Sequence, residues 1–205
     1  PEVARTLANV ATAYSTLGEL EPAQRFAEEA VEVTRESLGP DHPRTADALR
    51  ALAAIESKRG RLDVAIPRYE RALAIYDGHQ PMAAESVRAT LGGLLTKHGE
   101  HARAIAMLEA VLEAQRDRLG RDSPELMTVL INLGAAQRGG GDLDGAARTY
   151  REALRVGDAS LASDHPTLAF PLNNLGSLEQ SRGNLDVARP LIERALEIRL
   201  AKLGD

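Results

Sequence analysis

Hydrophobic positions along the chain recur at helical spacing, and glycines interrupt them at regular intervals. Leu49, Leu52 and Ala53 fall on one face of a helix, as do Leu130, Leu133 and Gly134. Such runs lead to Gly18, Gly60, Gly99, Gly141 and Gly183, which lie 42, 39, 42 and 42 residues apart. Each of these glycines is read as a helix stop, because glycine supplies the left-handed backbone a helix C-terminus favours. A polar residue follows, often with leucine next, as in Glu19-Leu20, Arg61-Leu62, Asp142-Leu143 and Asn184-Leu185. A second helix then begins.

The register extends to small residues. Five places after the glycines stand Ala23, Ala65, Ala104, Ala146 and Ala188. Twelve places after them stand Ala30, Ala72, Val111, Ala153 and Ala195, each followed by an aliphatic residue. Seven places before them stand Ala11, Ala53, Gly92, Gly134 and Gly176. Small residues at fixed places let two helix backbones approach closely, and a larger side chain would force them apart. The pattern predicts an all-α chain of five two-helix copies, at about 1–42, 43–80, 81–123, 124–165 and 166–205, in one array.

A connector also recurs: Leu-Gly-Pro-Asp-His-Pro at 38–43, Leu-Gly-Arg-Asp-Ser-Pro at 119–124, Leu-Ala-Ser-Asp-His-Pro at 161–166, and Leu-Gly-Asp at 203–205. Proline suits the first turn of a helix, and it holds the preceding residue extended. Asp41-His42-Pro43 and Asp164-His165-Pro166 therefore read as helix starters whose polar side chains satisfy free N–H groups, with Pro1, Pro81 and Pro124 in the equivalent place. A catalytic reading of these loops fails, because no nucleophile or partner recurs with them. The second copy is short: Gly60 to Pro81 is 21 residues, against 25 in its siblings. Its second helix is expected to end near Tyr76–Gly78, about one turn early.

This pattern resembles the tetratricopeptide repeat over essentially the whole chain. The usual period of that repeat is about 34 residues. A period of 42 with a longer second helix and this connector is similar to the repeats of kinesin light chains and their bacterial relatives. The large aromatic usual in the first helix is replaced by Leu7, Leu49, Leu130 and Leu172, and by Arg88 beside Val87 in the third copy. The resemblance implies a right-handed superhelical solenoid, a non-enzymatic module that binds a protein or peptide partner, and a concave surface lined by the first helices.

By the same resemblance, the places 13, 10, 6, 3 and 2 residues before each glycine point inward. They carry the bases Arg5, Arg50, Lys58, Lys97 and Arg138 and a single acid, Asp47, among small and hydroxyl side chains. An asparagine pair in the first helix of kinesin light chains helps hold an extended peptide. Asn173-Asn174 matches that pair, Asn132 and Asn9 match only its second member, and the second and third copies have neither. The expected guest is an extended segment, acidic by charge complementarity. The alternative is a self-assembly or regulatory spacer module of a larger signalling protein.

Composition narrows the classes further. With 25 basic and 30 acidic side chains the net charge is −5, which argues against a nucleic-acid partner. There is no cysteine, so no disulfide and no thiolate metal site can form. No apolar run approaches the ~18 residues of a membrane span, and no charged signal segment opens the chain. These features point to a cytoplasmic module. The start at Pro1 reads as a piece of a larger protein, and the alanine- and arginine-rich composition points to a GC-rich bacterial source. Aromatic residues are 3% and tryptophan is absent, so a stacking pocket is hard to build.

His98 and His101 flank Gly99 across a helix break, which does not favour a shared metal. The glycine-rich stretch 138–145 lacks the Lys-Ser/Thr of a phosphate loop and reads as a turn with slack. No catalytic residue, metal or cofactor is assigned. The last copy closes on Leu191, Leu196, Ile198, Leu200 and Leu203, so further repeats or a cap past Asp205, or self-association through this end, are expected.

Overall fold

Helix and turn fall where the glycines place them. The computed structural model describes residues 2–203, and these form ten α-helices. They are α1 (Glu2–Leu17), α2 (Leu20–Leu38), α3 (Pro43–Lys58), α4 (Leu62–Tyr76), α5 (Pro81–His98), α6 (His101–Leu119), α7 (Leu126–Gly139), α8 (Leu143–Ser160), α9 (Ala169–Ser181) and α10 (Leu185–Leu203). A single 3-10 turn, Pro166–Leu168, leads into α9. No strand occurs among the described residues. Gly18, Gly60, Gly99, Gly141 and Gly183 all adopt positive φ, between 77° and 91°, a region that side chains with a Cβ enter at a cost. Helix α4 has 15 residues against 19 in α2, α6 and α10, so the short copy ends its second helix at Tyr76, one turn early.

The chain divides into two compact units, Pro1–Leu94 and Leu95–Asp205. In the first, α1 packs on α2, α3 on α4, and α2 on α3. Its core gathers Ala11, Ala23, Ala27, Leu52 and Ile55, with Tyr14, Phe26 and Val31 against them. Tyr14 and Phe26 stack with ring centroids 5.6 Å apart. In the second unit, α7 packs on α8, α9 on α10, α6 on α7, and α8 on α9.

The small-residue register is the contact between paired helices. Ala23, Ala65, Ala104 and Ala146 are fully buried and Ala188 nearly so. A Cβ built on Gly134 would stand 2.6 Å from the Tyr150 ring, and one on Gly176 would stand 2.6 Å from Ile192. In the third copy Val87 is buried, as are Ala48 and Val129 at the same place in their copies, while Arg88 reaches Asp77 at the end of α4.

The connectors divide their labour differently from the expectation. The histidines cap: Nδ1 of His42 accepts from the Arg44 N–H at 3.1 Å, and Nδ1 of His165 accepts from the Thr167 N–H at 3.3 Å. Asp41 and Asp122 instead meet arginines of the second helices, Arg71 and Arg155, whereas in the last copy Arg194 meets Asp158 and not Asp164. Arg71 and Arg155 also reach the connector backbone, at the carbonyls of Pro40 and Arg121. Pro43 and Pro81 open their helices, whereas Pro124 lies two residues before α7. Pro1 and the terminal Gly204-Asp205 lie outside the described residues.

The stretch 138–145 spans the turn between α7 and α8, and Gly139, Gly140 and Gly145 are packed while Gly141 has nothing within 4 Å. Gly139 is the last residue of α7, and a Cβ there would collide with the His101 imidazole. A Cβ on Gly140 would also meet His101, at 3.3 Å. Gly145 leaves room for the Asp142 carboxylate, which folds back to accept from the Gly145 N–H at 2.8 Å and so caps α8. His98 and His101 part company: His98 pairs with Glu100 at 2.9 Å, and His101 faces the two glycines.

Candidate binding surface

The places assigned to the inner face all lie outside the core. None of the residues 13, 10, 6, 3 or 2 places before a register glycine is buried. That follows from helix geometry, because the same helices bury the opposite stripe, through Leu52, Ala53 and Ile55 in α3 and Leu130, Leu133 and Ala136 in α7.

In the N-terminal unit the face closes into a pocket of about 360 Å³ between α1 and α3. Arg5, Ala8 and Thr12 of α1 and Asp47 and Arg50 of α3 line it. Three polar residues outside the assigned binding set join them, Asn9, Arg44 and Thr34 of α2. Arg44 sits in the first turn of α3, and its position just after Pro43 was the signal that could have found it. Arg5 is held at 2.6 Å by Glu2, an exposed pair one turn away on the same helix. Arg44 and Arg50 stand in no ion pair among the described residues. Asp47 accepts a hydrogen bond from the Tyr76 hydroxyl at 2.5 Å. Burial first, and then this bond to a carboxylate, push the Tyr76 phenol far above its ordinary value, with Arg50 opposing. Tyr69 is raised by burial too, again with Arg50 opposing.

Lys58 lies on the same face but outside the pocket. Its Nζ donates to the Ser15 hydroxyl at 2.9 Å and so ties α3 to α1. It is therefore a link between first helices before it is a ligand contact.

In the C-terminal unit Lys97 is exposed in the last turn of α5, and Arg138 is exposed in the last turn of α7. Arg138 acts electrostatically on Tyr150, whose phenol burial pushes up to about 12. Asn173 and Asn174 are half-buried neighbours on α9. Phe170, assigned to the inner face, is 57% exposed at the start of that helix. The far end of the unit exposes Leu185, Val187, Leu196 and Leu200 on α10, while Ile198 is buried and Leu191 half-buried. The Leu203 side chain lies outside the described residues.

No helix of the described residues is long and apolar enough to cross a membrane. No curated protein sequence matches the chain. Solved structures do match its fold. The chain aligns over 97% of its length with 95% of a Podosopora anserina putative kinesin light chain built of nearly identical TPR-like repeats, at 21% identity and a TM-score of 0.80. It aligns over 98% of its length with 81% of BtubC (BKLC) from P. vanneervenii, at 22% identity and a TM-score of 0.80. YrrB, a TPR protein with an unusual peptide-binding site, aligns over 94% of this chain and 84% of its own, at 21% identity and a TM-score of 0.59. The tetratricopeptide repeat family itself matches residues 1–78, 83–159 and 141–201. With nearly every residue inside one of these matches, and with paired helices that share a register of buried small residues, the chain belongs to the tetratricopeptide repeat family.

Proposed function

We propose that the chain is a non-enzymatic protein-interaction module that binds an extended, acidic segment of a partner on the first-helix face of its repeats, read as one array over residues 1–205. The observation that carries this reading is the pocket between α1 and α3, which gathers Arg5, Arg44 and Arg50 around one carboxylate. A rigid face of this kind lowers the ordering cost on the protein's side, because the helices are already in place when the segment arrives. Arg50 and Arg138 offer planar forks that a carboxylate accepts by two bonds. Asn173 and Asn174 offer amides to a main chain, and Lys97 adds charge. Lys58 contributes mainly by holding α1 and α3 together. YrrB, a TPR protein with an unusual peptide-binding site, supports the class of partner. The cytoplasm is the compartment that fits a cysteine-free module of this kind.

The test is capture of partners by the chain and by its Arg50→Glu, Arg138→Glu double variant. Both residues are exposed, so the thermal melt should hardly move. Capture should be lost in the variant, and should weaken for the parent as salt rises. Unchanged capture by the double variant would remove the first-helix face from the account.

A second reading is favoured by one observation, the exposed Leu185, Val187, Leu196 and Leu200 of α10. In that reading this surface mediates self-association. Sedimentation of the parent and of Leu196→Glu with Leu200→Glu tests it: mass should rise with concentration for the parent alone.

A further inference from the structure

The pocket between α1 and α3 is more cationic than an ordinary carboxylate needs. Three arginines line it, Arg5, Arg44 and Arg50, against one acidic residue. That carboxylate, on Asp47, is already engaged by the Tyr76 hydroxyl. Arg44 and Arg50 have no ion-pair partner among the described residues, and the Glu2 partner of Arg5 is exposed. The rest of the lining is small, with Ala4, Ala8, Ala48 and Ala51 beside Thr34, and leaves room for a passing main chain. Arg44 also stands in the first turn of α3, where the helix dipole is positive.

We propose that this pocket binds the phosphate of a phosphorylated serine or threonine carried by an extended partner segment, a proposal that rests on the interaction reading above. A single carboxylate brings one negative charge and accepts one guanidinium fork. A phosphomonoester brings nearly two charges and three terminal oxygens, each able to accept from a guanidinium. Against the three arginines stand Asp47 and, outside the pocket, the Glu2 paired with Arg5, so a dianion that displaces this exposed carboxylate from Arg5 meets an excess of two positive charges. A nucleic acid offers phosphates too, but the chain carries a net charge of −5 and no aromatic side chain lines the pocket for a base. A membrane headgroup would have to enter a recess between two helices of an acidic protein, whereas an extended segment lies along it.

The experiment uses the full chain, isotope-labelled for NMR, and three degenerate peptide pools that are identical except at the central residue. That residue is phosphoserine, serine or aspartate. The phosphoserine pool should shift Ala8, Ala48 and Ala51 and bind at least about tenfold more tightly than the other two, a step of about 1.4 kcal/mol. The Arg44→Ala, Arg50→Ala variant should lose that gain while keeping its helical signal and melt. Arg44→Lys should lose part of it, since it keeps the charge without the fork. Equal binding of the three pools on α1 and α3 would overturn the phosphate assignment and leave the interaction reading standing. Shifts from inorganic phosphate alone, with no added effect of the phosphopeptide, would also overturn it. If no pool touches these helices, the interaction reading of the face fails as well.

Discussion

Arg68 donates a hydrogen bond to Glu56 at 2.8 Å, and the glutamate side chain it meets is 1% exposed. The two residues stand four places before and eight places after Gly60. The same two places hold Tyr14 stacked on Phe26 in the first copy, and in the fourth they hold Gln137, which accepts from the Thr149 hydroxyl at 2.8 Å. One contact between paired helices is thus met by an ion pair, a ring stack and a neutral hydrogen bond.

Removing one member should leave the other buried and unmatched. Arg68→Leu is expected to cost about 2–3 kcal/mol, below the range of a fully enclosed pair because Arg68 still reaches water. Changing both Glu56 and Arg68 to leucine should recover most of that loss. Denaturant melts of the two variants check it.

Burial raises the Glu56 carboxyl above its ordinary value even with Arg68 and Arg61 opposing. Just above the ordinary carboxylate range, the folded chain therefore holds a proton that the unfolded chain has released. Stability must then fall as pH rises through that window. Glu56→Gln keeps an acceptor for Arg68 and removes the proton, so it should flatten this slope. Melts across the mildly acidic range, parent against variant, show the difference directly.

The alanines five places after the glycines separate fold from surface. Ala65→Leu and Ala146→Leu should overpack the helix pairs and cost roughly 1–3 kcal/mol each. Ala54→Leu, half-buried on the first-helix face, should cost much less. Similar losses in all three would mean the helix faces are misassigned.

Gly139 and His101 form a matched pair within the C-terminal unit. Gly139→Ala should be destabilising by about 1–3 kcal/mol, since its methyl would press into the imidazole. The loss should shrink in the His101→Ala background. A double-mutant cycle on thermal stability measures that coupling.

The repeat was legible because its signals are single residues at fixed places. A register glycine needs positive φ, and Ala65 or Ala146 needs a small volume, so each leaves its mark in one column. The short α4 was legible for the same reason, as a change in the distance from glycine to proline. The contact around Glu56 was not, because what is held constant there is the fit of two side chains and not the identity of either. The division of roles between Asp41 and His42 was likewise hidden. Both can cap a helix, and only the position of Arg71 on α4 decides which of them does. Gly139 looked like slack because its neighbour, His101, is distant in sequence. On the candidate surface the face of Arg5 and Arg50 could be read from the register, but their company with Arg44 required the packing of α1 beside α3.

The central claim is that partners bind the first-helix face, and thiol-directed cross-linking addresses it most directly. The chain has no cysteine, so one introduced thiol is unique. Thr12→Cys and Thr128→Cys place it on α1 and α7, and Ala110→Cys and Arg148→Cys place it on α6 and α8, all at exposed positions. With a short photoreactive label, the account predicts partner cross-links from positions 12 and 128 and none from 110 and 148. Cross-links from 110 and 148 alone would contradict it and move the binding surface to the second helices.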